Sequence, residues 1–122
     1  MRKQTTFNFK VRFAPAVESG AKTSTIRIFG KTLPPEKGDR LKLFTGMRSS
    51  KCRRLKQPVC QDCSPIQITN DAITVAGRKL SRAEENRLAV ADGFTSSDHL
   101  RVFFIQTYGL PLPGNPHLVR WS

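Results

Sequence analysis

The chain has 122 residues, of which 21 are Lys or Arg and 9 are acids, for a formal net charge of +12. That length suits one domain around a single core and is too short for two. No apolar run approaches the roughly twenty residues of a membrane-spanning helix, and Met1-Arg2-Lys3-Gln4-Thr5-Thr6 leads into alternating residues rather than the apolar stretch of a secretory signal, so a cytoplasmic protein without a membrane partner is expected.

Phe7 to Phe13 alternates strictly, which predicts a strand with Phe7, Phe9, Val11 and Phe13 on one face and Asn8, Lys10 and Arg12 turned outward. Pro15 to Ser19 suits one or two helical turns, with Pro15 tolerated at the start and Gly20 placed to end them. Lys22 to Arg27 then follows as a strand. Gly30 to Asp39 is rich in Gly, Pro and charge and predicts a loop. Its Gly30-Lys31-Thr32 is not a phosphate-binding P-loop, because Thr25 stands where that motif needs glycine. Arg40 to Thr45 is the next strand, and Met47 to Lys56 is a basic run between two strands.

Pro65 to Thr69 and Ala72 to Val75 alternate around Asn70-Asp71, the pattern of a hairpin. Ser81-Arg82-Ala83-Glu84 is a capping box that opens a helix running to about Ala91. A second helix begins near Thr95 or Ser96 with Asp98 in its first turn, where the helix dipole favours an acid. Its Leu100, Phe103, Phe104 and Tyr108 keep helical spacing and are expected in the core, with Gly109 and Pro111 ending it. Leu118 to Trp121 makes a short closing strand. Several strands interrupted by two to three short helices predict an α+β fold built on a small, partly open barrel.

The densest chemistry lies in Ser19-Gly20-Ala21-Lys22-Thr23-Ser24-Thr25-Ile26-Arg27. As a regular strand it points Lys22, Ser24 and Ile26 one way and Thr23, Thr25 and Arg27 the other; a kink after Gly20 lets both sets converge on one polar or anionic ligand. A solvated edge strand is the other reading, since Lys and Arg blunt sheet edges. Charge distribution favours the site. Residues 1–56 hold fifteen Lys or Arg and three acids, whereas residues 57–122 hold six of each sign. So one-sided a field attracts polyanions, because neutralising phosphates releases condensed counterions. Nucleic acid is the expected partner, ahead of an acidic protein or an anionic membrane surface; solubility alone does not require the asymmetry. Arg48, Lys51, Arg53 and Arg54 in the basic run would follow a phosphate backbone, or lie in a solvated loop.

Three cysteines, Cys52, Cys60 and Cys63, are an odd count that does not suit a disulfide framework. Cys60-Gln61-Asp62-Cys63 has zinc-knuckle spacing, and Cys52 with His99 or His117 would complete a set, but the second compact ligand pair is missing; no metal or other cofactor is expected. His99 and His117 are explained by surface positions, and Trp121, like Tyr108, by the core.

Taken together, Gly20-x-Lys22-Thr23-x-Thr25-Ile26-Arg27, then Lys37-Gly38-Asp39-Arg40-Leu41 opening a strand, then Ala91-Asp92-Gly93-Phe94 ahead of a helix and a final strand, resemble an ASCH domain of the PUA-like superfamily. The resemblance runs from about Phe7 to Trp121 and is weakest between Cys60 and Lys79. It implies a five- or six-stranded barrel whose cleft binds RNA or another nucleic acid. Some members of the family are bacterial amidohydrolases that deacetylate acetylcytidine with a lysine, a threonine and a glutamate; ribonuclease activity is also associated with the family. Lys22 and Thr25 match the first two, and Asp92, one methylene shorter, stands nearest the glutamate.

From the residues themselves, Thr25 is a candidate nucleophile that Lys22 would activate if burial and the charges of Arg12 and Arg27 hold it partly neutral. Asp92 would carry the proton to the leaving amine, and Arg27 would stabilise an oxyanion or hold a phosphate. Asp92 has an equally simple role in ending its helix beside Gly93. In a binding domain, Arg12, Lys22, Thr23, Thr25 and Arg27 would contact phosphate or a base edge, with Phe29 or Phe44 stacking on a base. Three functions follow: an RNA- or modified-nucleoside-binding domain, an amidohydrolase or ribonuclease, and a basic module that docks an acidic protein.

Overall fold

The computed structural model describes residues 4–121. In chain order it has strand β1 (Gln4–Phe9), a 3-10 turn (Val11–Phe13), helix α1 (Ala14–Ser19), strands β2 (Ser24–Phe29), β3 (Arg40–Thr45), β4 (Arg53–Lys56), β5 (Asp62–Ile68), β6 (Ile73–Val75) and β7 (Arg78–Lys79), helices α2 (Arg82–Ala91) and α3 (Ser97–Thr107), and strand β8 (Asn115–Arg120). The fold is α+β. Among the described residues eight strands form two sheets, ordered β1-β3-β4 and β2-β8-β5-β6-β7, and no closed barrel forms.

Alternation along β8 explains the layering. Leu118 belongs to a core that joins Ile26, Ile66, Ile68 and Ile73 to Leu88, Leu100 and Phe104 of α2 and α3. Its neighbour Val119 belongs to a second core with Phe29 of β2 and Phe7, Phe9, Leu41 and Leu43 of the smaller sheet. The five-stranded sheet is therefore covered by helices on one face and by the three-stranded sheet on the other, since successive side chains of a strand point to opposite faces. A strand buried on both faces has little need of alternation, which is why β2 reads Ser-Thr-Ile-Arg-Ile-Phe.

Five expectations are corrected. The basic run from Met47 to Lys56, expected to lie between two strands, contains one, since Arg53–Lys56 is β4 and pairs antiparallel with β3. The strand predicted over Phe7 to Phe13 stops at Phe9, opposite Thr45, the last residue of its parallel partner β3. With no strand left to pair, the chain turns: Thr45 Oγ1 donates to the Phe9 carbonyl, Phe13 N–H donates to Lys10, and Val11 is left 76% exposed. The Lys22 segment becomes a strand only from Ser24. The closing strand begins at Asn115 and lies inside the sheet, antiparallel to both β2 and β5. Tyr108, expected in the core, is 47% exposed, while Trp121 is buried as expected.

Local signals hold elsewhere. Ser81 and Glu84 form the reciprocal capping box of α2, Ser96 caps α3, and β5 and β6 pair as a hairpin around Asn70-Asp71. Among the described residues no helix is long and apolar enough to cross a membrane.

Candidate functional site

Two helix ends build the site. Helix α1 stops at Gly20, whose left-handed φ of 88° suits glycine, and the Lys22 N–H donates back to Ala16. This turn sends the Lys22 side chain inward, where it is 3% exposed. Helix α2 stops at Asp92, after which Gly93 N–H donates to Val90 and Phe94 N–H to Ala89, the paired bonds of a Schellman motif. Gly93, at φ 95°, is also confined: a Cβ there would stand 3.1 Å from Lys22 Cδ and from the Phe13 ring.

The two ends meet. Lys22 Nζ donates to the Asp92 backbone carbonyl and lies 3.3 Å from Asp92 Oδ1, so a cation caps the negative end of α2. Ser24 Oγ donates to the same carboxylate oxygen at 3.1 Å. Burial pulls the Lys22 ammonium below its ordinary pKa against the opposing pull of Asp92, and burial pushes Asp92 up against the pull of Lys22. Desolvation thus brings the proton affinities of acid and amine toward each other. Asp92 both ends its helix and carries the buried charge of the site.

Arg27 lies on the same side. Its Nε donates to Thr25 Oγ1 at 3.0 Å, its Nη2 to the Asn8 carbonyl at 2.8 Å, and its guanidinium lies over Phe7 and Phe9 at 5.0 and 4.8 Å. Burial lowers its pKa. Lys22, Thr25, Arg27 and Asp92 all line one cavity of about 140 Å³, walled by Phe9, Phe13, Phe94 and Phe103, with Tyr108 also on its lining. Phe94 packs at 5.6 Å from Phe13 and 5.3 Å from Phe103, which fixes the wall. Near its mouth, Arg12 lies 4.7 Å over Phe13 and 5.0 Å over Phe103.

The sequence therefore named the polar half of the cavity and missed the rest. Nothing local to Ser24 points to Asp92, and the helical spacing of Phe103 and Tyr108 predicts a core stripe, the same spacing that a pocket wall on α3 requires. Thr25 is bound by Arg27 rather than by Lys22, whose hydrogen bonds run to Asp92. Thr23 faces another groove, its N–H on the Ala91 carbonyl. Phe29 is buried and Phe44 is outside the cavity lining, so neither takes the expected stacking role there.

Arg48, Lys51, Arg53 and Arg54 are exposed on the β3–β4 hairpin and do not line the cavity. Arg53 is paired with Glu18 of α1. The hairpin nevertheless abuts the cavity rim, because Met47 N–H donates to the side chain of Asn8, the residue whose carbonyl holds Arg27. Cys52 is exposed and Cys60 buried, and among the described residues no three His, Cys, Asp or Glu side chains converge as a metal site. No known family, curated protein or solved structure matches the chain.

Proposed function

We propose that the Lys22–Asp92 cavity binds one nucleobase of RNA or of a modified nucleoside, in a domain of the ASCH, PUA-like kind. The observation that carries this reading is the cavity's combination of size and lining. A cavity of about 150 Å³ is enough for a benzene-sized ring, and 140 Å³ walled by phenylalanines with donors from Lys22, Thr25 and Arg27 and a carboxyl from Asp92 suits one flat ring with polar edges. The ribose and phosphates would stay outside, beside Lys10, Arg12 and the basic hairpin. Aromatic walls supply stacking to a splayed-out base, and the surface cations supply phosphate contacts.

Calorimetric titration of the protein with cytidine, uridine, adenosine and a single-stranded RNA at two salt concentrations tests this reading. Pyrimidine nucleosides bind with little salt dependence, RNA binds with affinity that falls steeply as salt rises, and Tyr108→Ala at the exposed rim weakens both. Absence of binding by every nucleoside and by RNA would overturn it.

A second reading rests on a different observation: an amine of lowered pKa, a carboxyl of raised pKa and a hydroxyl held by an arginine face the same cavity. Hydrolysis of an acylated cytidine would use them in this way: Thr25 attacks the amide carbonyl and gives its proton to the Lys22–Asp92 pair, the pair passes a proton to the cytidine amine as the C–N bond breaks, water then releases the acyl group from Thr25 as the free acid, and Arg27 stabilises the oxyanion. Chromatography of acetylcytidine incubated with the protein decides it, with Thr25→Val, its folding checked by circular dichroism, as the control. Turnover lost in the variant supports hydrolysis; no turnover above that variant leaves binding alone.

A further inference from the structure

Behind the Ser24–Asp92 hydrogen bond lies a second depression, of about 330 Å³, in which Thr23, Ser24, Arg78, Glu84, Arg87 and Arg120 surround an apolar floor that includes Leu80 and Leu88. Ser24 and Asp92 form a shared wall, Ser24 lining this groove and Asp92 the first cavity. The groove is assembled from residues distant in sequence. Arg120 at the end of β8 pairs with Ser24 at the start of β2, and the Thr23 N–H on the Ala91 carbonyl, at 2.8 Å, ties that corner to the end of α2. Arg87 stands three residues beyond Glu84, one helical turn along the same face of α2.

Charge in the groove is not balanced. Its one carboxylate, Glu84, is held by both guanidinium nitrogens of Arg78, at 2.9 and 3.2 Å, and by the Ser81 N–H. Its pKa is down to about 2, first through the Arg78 hydrogen bonds, so it stays charged and already matched at neutral pH. Arg87 and Arg120 have no ion pair among the described residues. Two unmatched guanidinium forks therefore flank hydroxyl-bearing residues in one concave surface. All three arginines come from the half of the chain whose net charge is zero, so the general basicity of the first half does not account for them.

We propose that this groove is a binding site for a phosphate group, gripped by Arg87 and Arg120 with Thr23 on the adjoining wall and Arg78 held in place by Glu84. Planar guanidinium forks match phosphate oxygens in pairs, which a point-charge lysine does not. The phosphate comes from a nucleotide or from a nucleic-acid backbone. The assignment is independent of what occupies the Lys22 cavity, because the two sites have no lining residue in common.

The test is titration of the whole protein with pyrophosphate, followed by backbone amide NMR. Saturable shifts of the Thr23, Ala91 and Arg120 amides are expected. Arg87→Gln/Arg120→Gln, at exposed positions, should weaken binding at least about tenfold with the melting temperature unchanged, and Arg87→Lys/Arg120→Lys should lose part of it because the forks are gone. Lys31→Gln/Lys37→Gln, an equal loss of charge at exposed positions of the loop before β3, should bind as the parent does. Shifts that never saturate, or equal losses in the groove and loop variants, would overturn the site by showing only diffuse charge. A nucleoside monophosphate and an oligoribonucleotide without terminal phosphates separate the sources: competition by either supports the site, and competition by neither overturns it.

Discussion

Lys22 and Asp92 are seventy residues apart in sequence, yet Nζ and Oδ1 stand 3.3 Å apart with each side chain only 3% exposed. One group ends the turn after α1 and the other ends α2, so a single ion pair joins the two helix ends on which the cavity rests. Removing one partner strands a charge in a poorly solvated place, whereas removing both with apolar groups does not. Lys22→Met should cost about 3 kcal/mol in urea denaturation. The double variant Lys22→Met/Asp92→Leu should be less destabilised than the sum of the two single changes; strict additivity would show that the contact carries no coupling.

Protonation of the pair gives a pH signature. Lys22 has a folded pKa below 10.5, first because of burial. Between that lowered value and 10.5 the unfolded chain holds the proton and the folded one does not, so unfolding free energy rises with pH across this window. Asp92 works oppositely: its folded pKa lies above 3.8, so its contribution is fully present below 3.8 and is lost as pH rises through the folded value. NMR titration of the Lys22 side chain should find a midpoint below 10.5, and lower still in Asp92→Asn, which removes the attraction that opposes burial. A midpoint at or above 10.5 in the parent would contradict the reading of the pair as desolvated.

Gly93 should tolerate no side chain. Alanine there would hold a left-handed φ of 95° and press its Cβ on Lys22 and Phe13. Gly93→Ala is expected to cost about 2 kcal/mol and to weaken whatever ligand the cavity takes, since both residues it displaces line that cavity. Unchanged thermal stability together with unchanged nucleoside affinity would show that this corner is soft.

Arg101 and Glu85 form a second internal pair, at 3.0 Å, and Arg101 Nε also donates to the Thr69 carbonyl at 3.1 Å, tying α2, α3 and the β5–β6 turn together. Arg101→Met leaves Glu85, 7% exposed, without its partner. A loss of about 3 kcal/mol in denaturation is expected. Nucleoside affinity should persist wherever the variant is folded, because neither residue lines the cavity.

On the hairpin, Arg53 is engaged by Glu18, whereas Arg54 has no ion pair among the described residues. If RNA follows this surface, Arg54→Gln should lower affinity at every sequence and reduce the salt slope by about one. Arg53→Gln should do less, since its charge is already partly matched. Equal salt slopes for the parent and Arg54→Gln would place the RNA elsewhere.

Contacts between residues a few positions apart were legible from the sequence, because their energetics are local. The Ser81–Glu84 capping box, the glycine that ends α1, the Asn70-Asp71 hairpin and the start of α3 each depend on groups within one turn of each other, and each forms where the pattern puts it. Residue types also marked Lys22, Thr25, Arg27 and Asp92 as chemistry worth burying. Tertiary structure decided the rest. Strict alternation carries on past Phe9, but a strand lasts only as long as its partner, and the parallel pairing with β3 that ends at Thr45 joins residues 36 positions apart. Helical spacing in α3 told which residues share a face, not whether that face meets core or a cavity; Phe104 is buried while Tyr108, one turn on, is half exposed. That Lys22 meets Asp92 rather than Thr25 follows from where two helices end against one sheet. A pairing across so long a stretch of chain is fixed by the packing of both cores, which no short window of sequence contains.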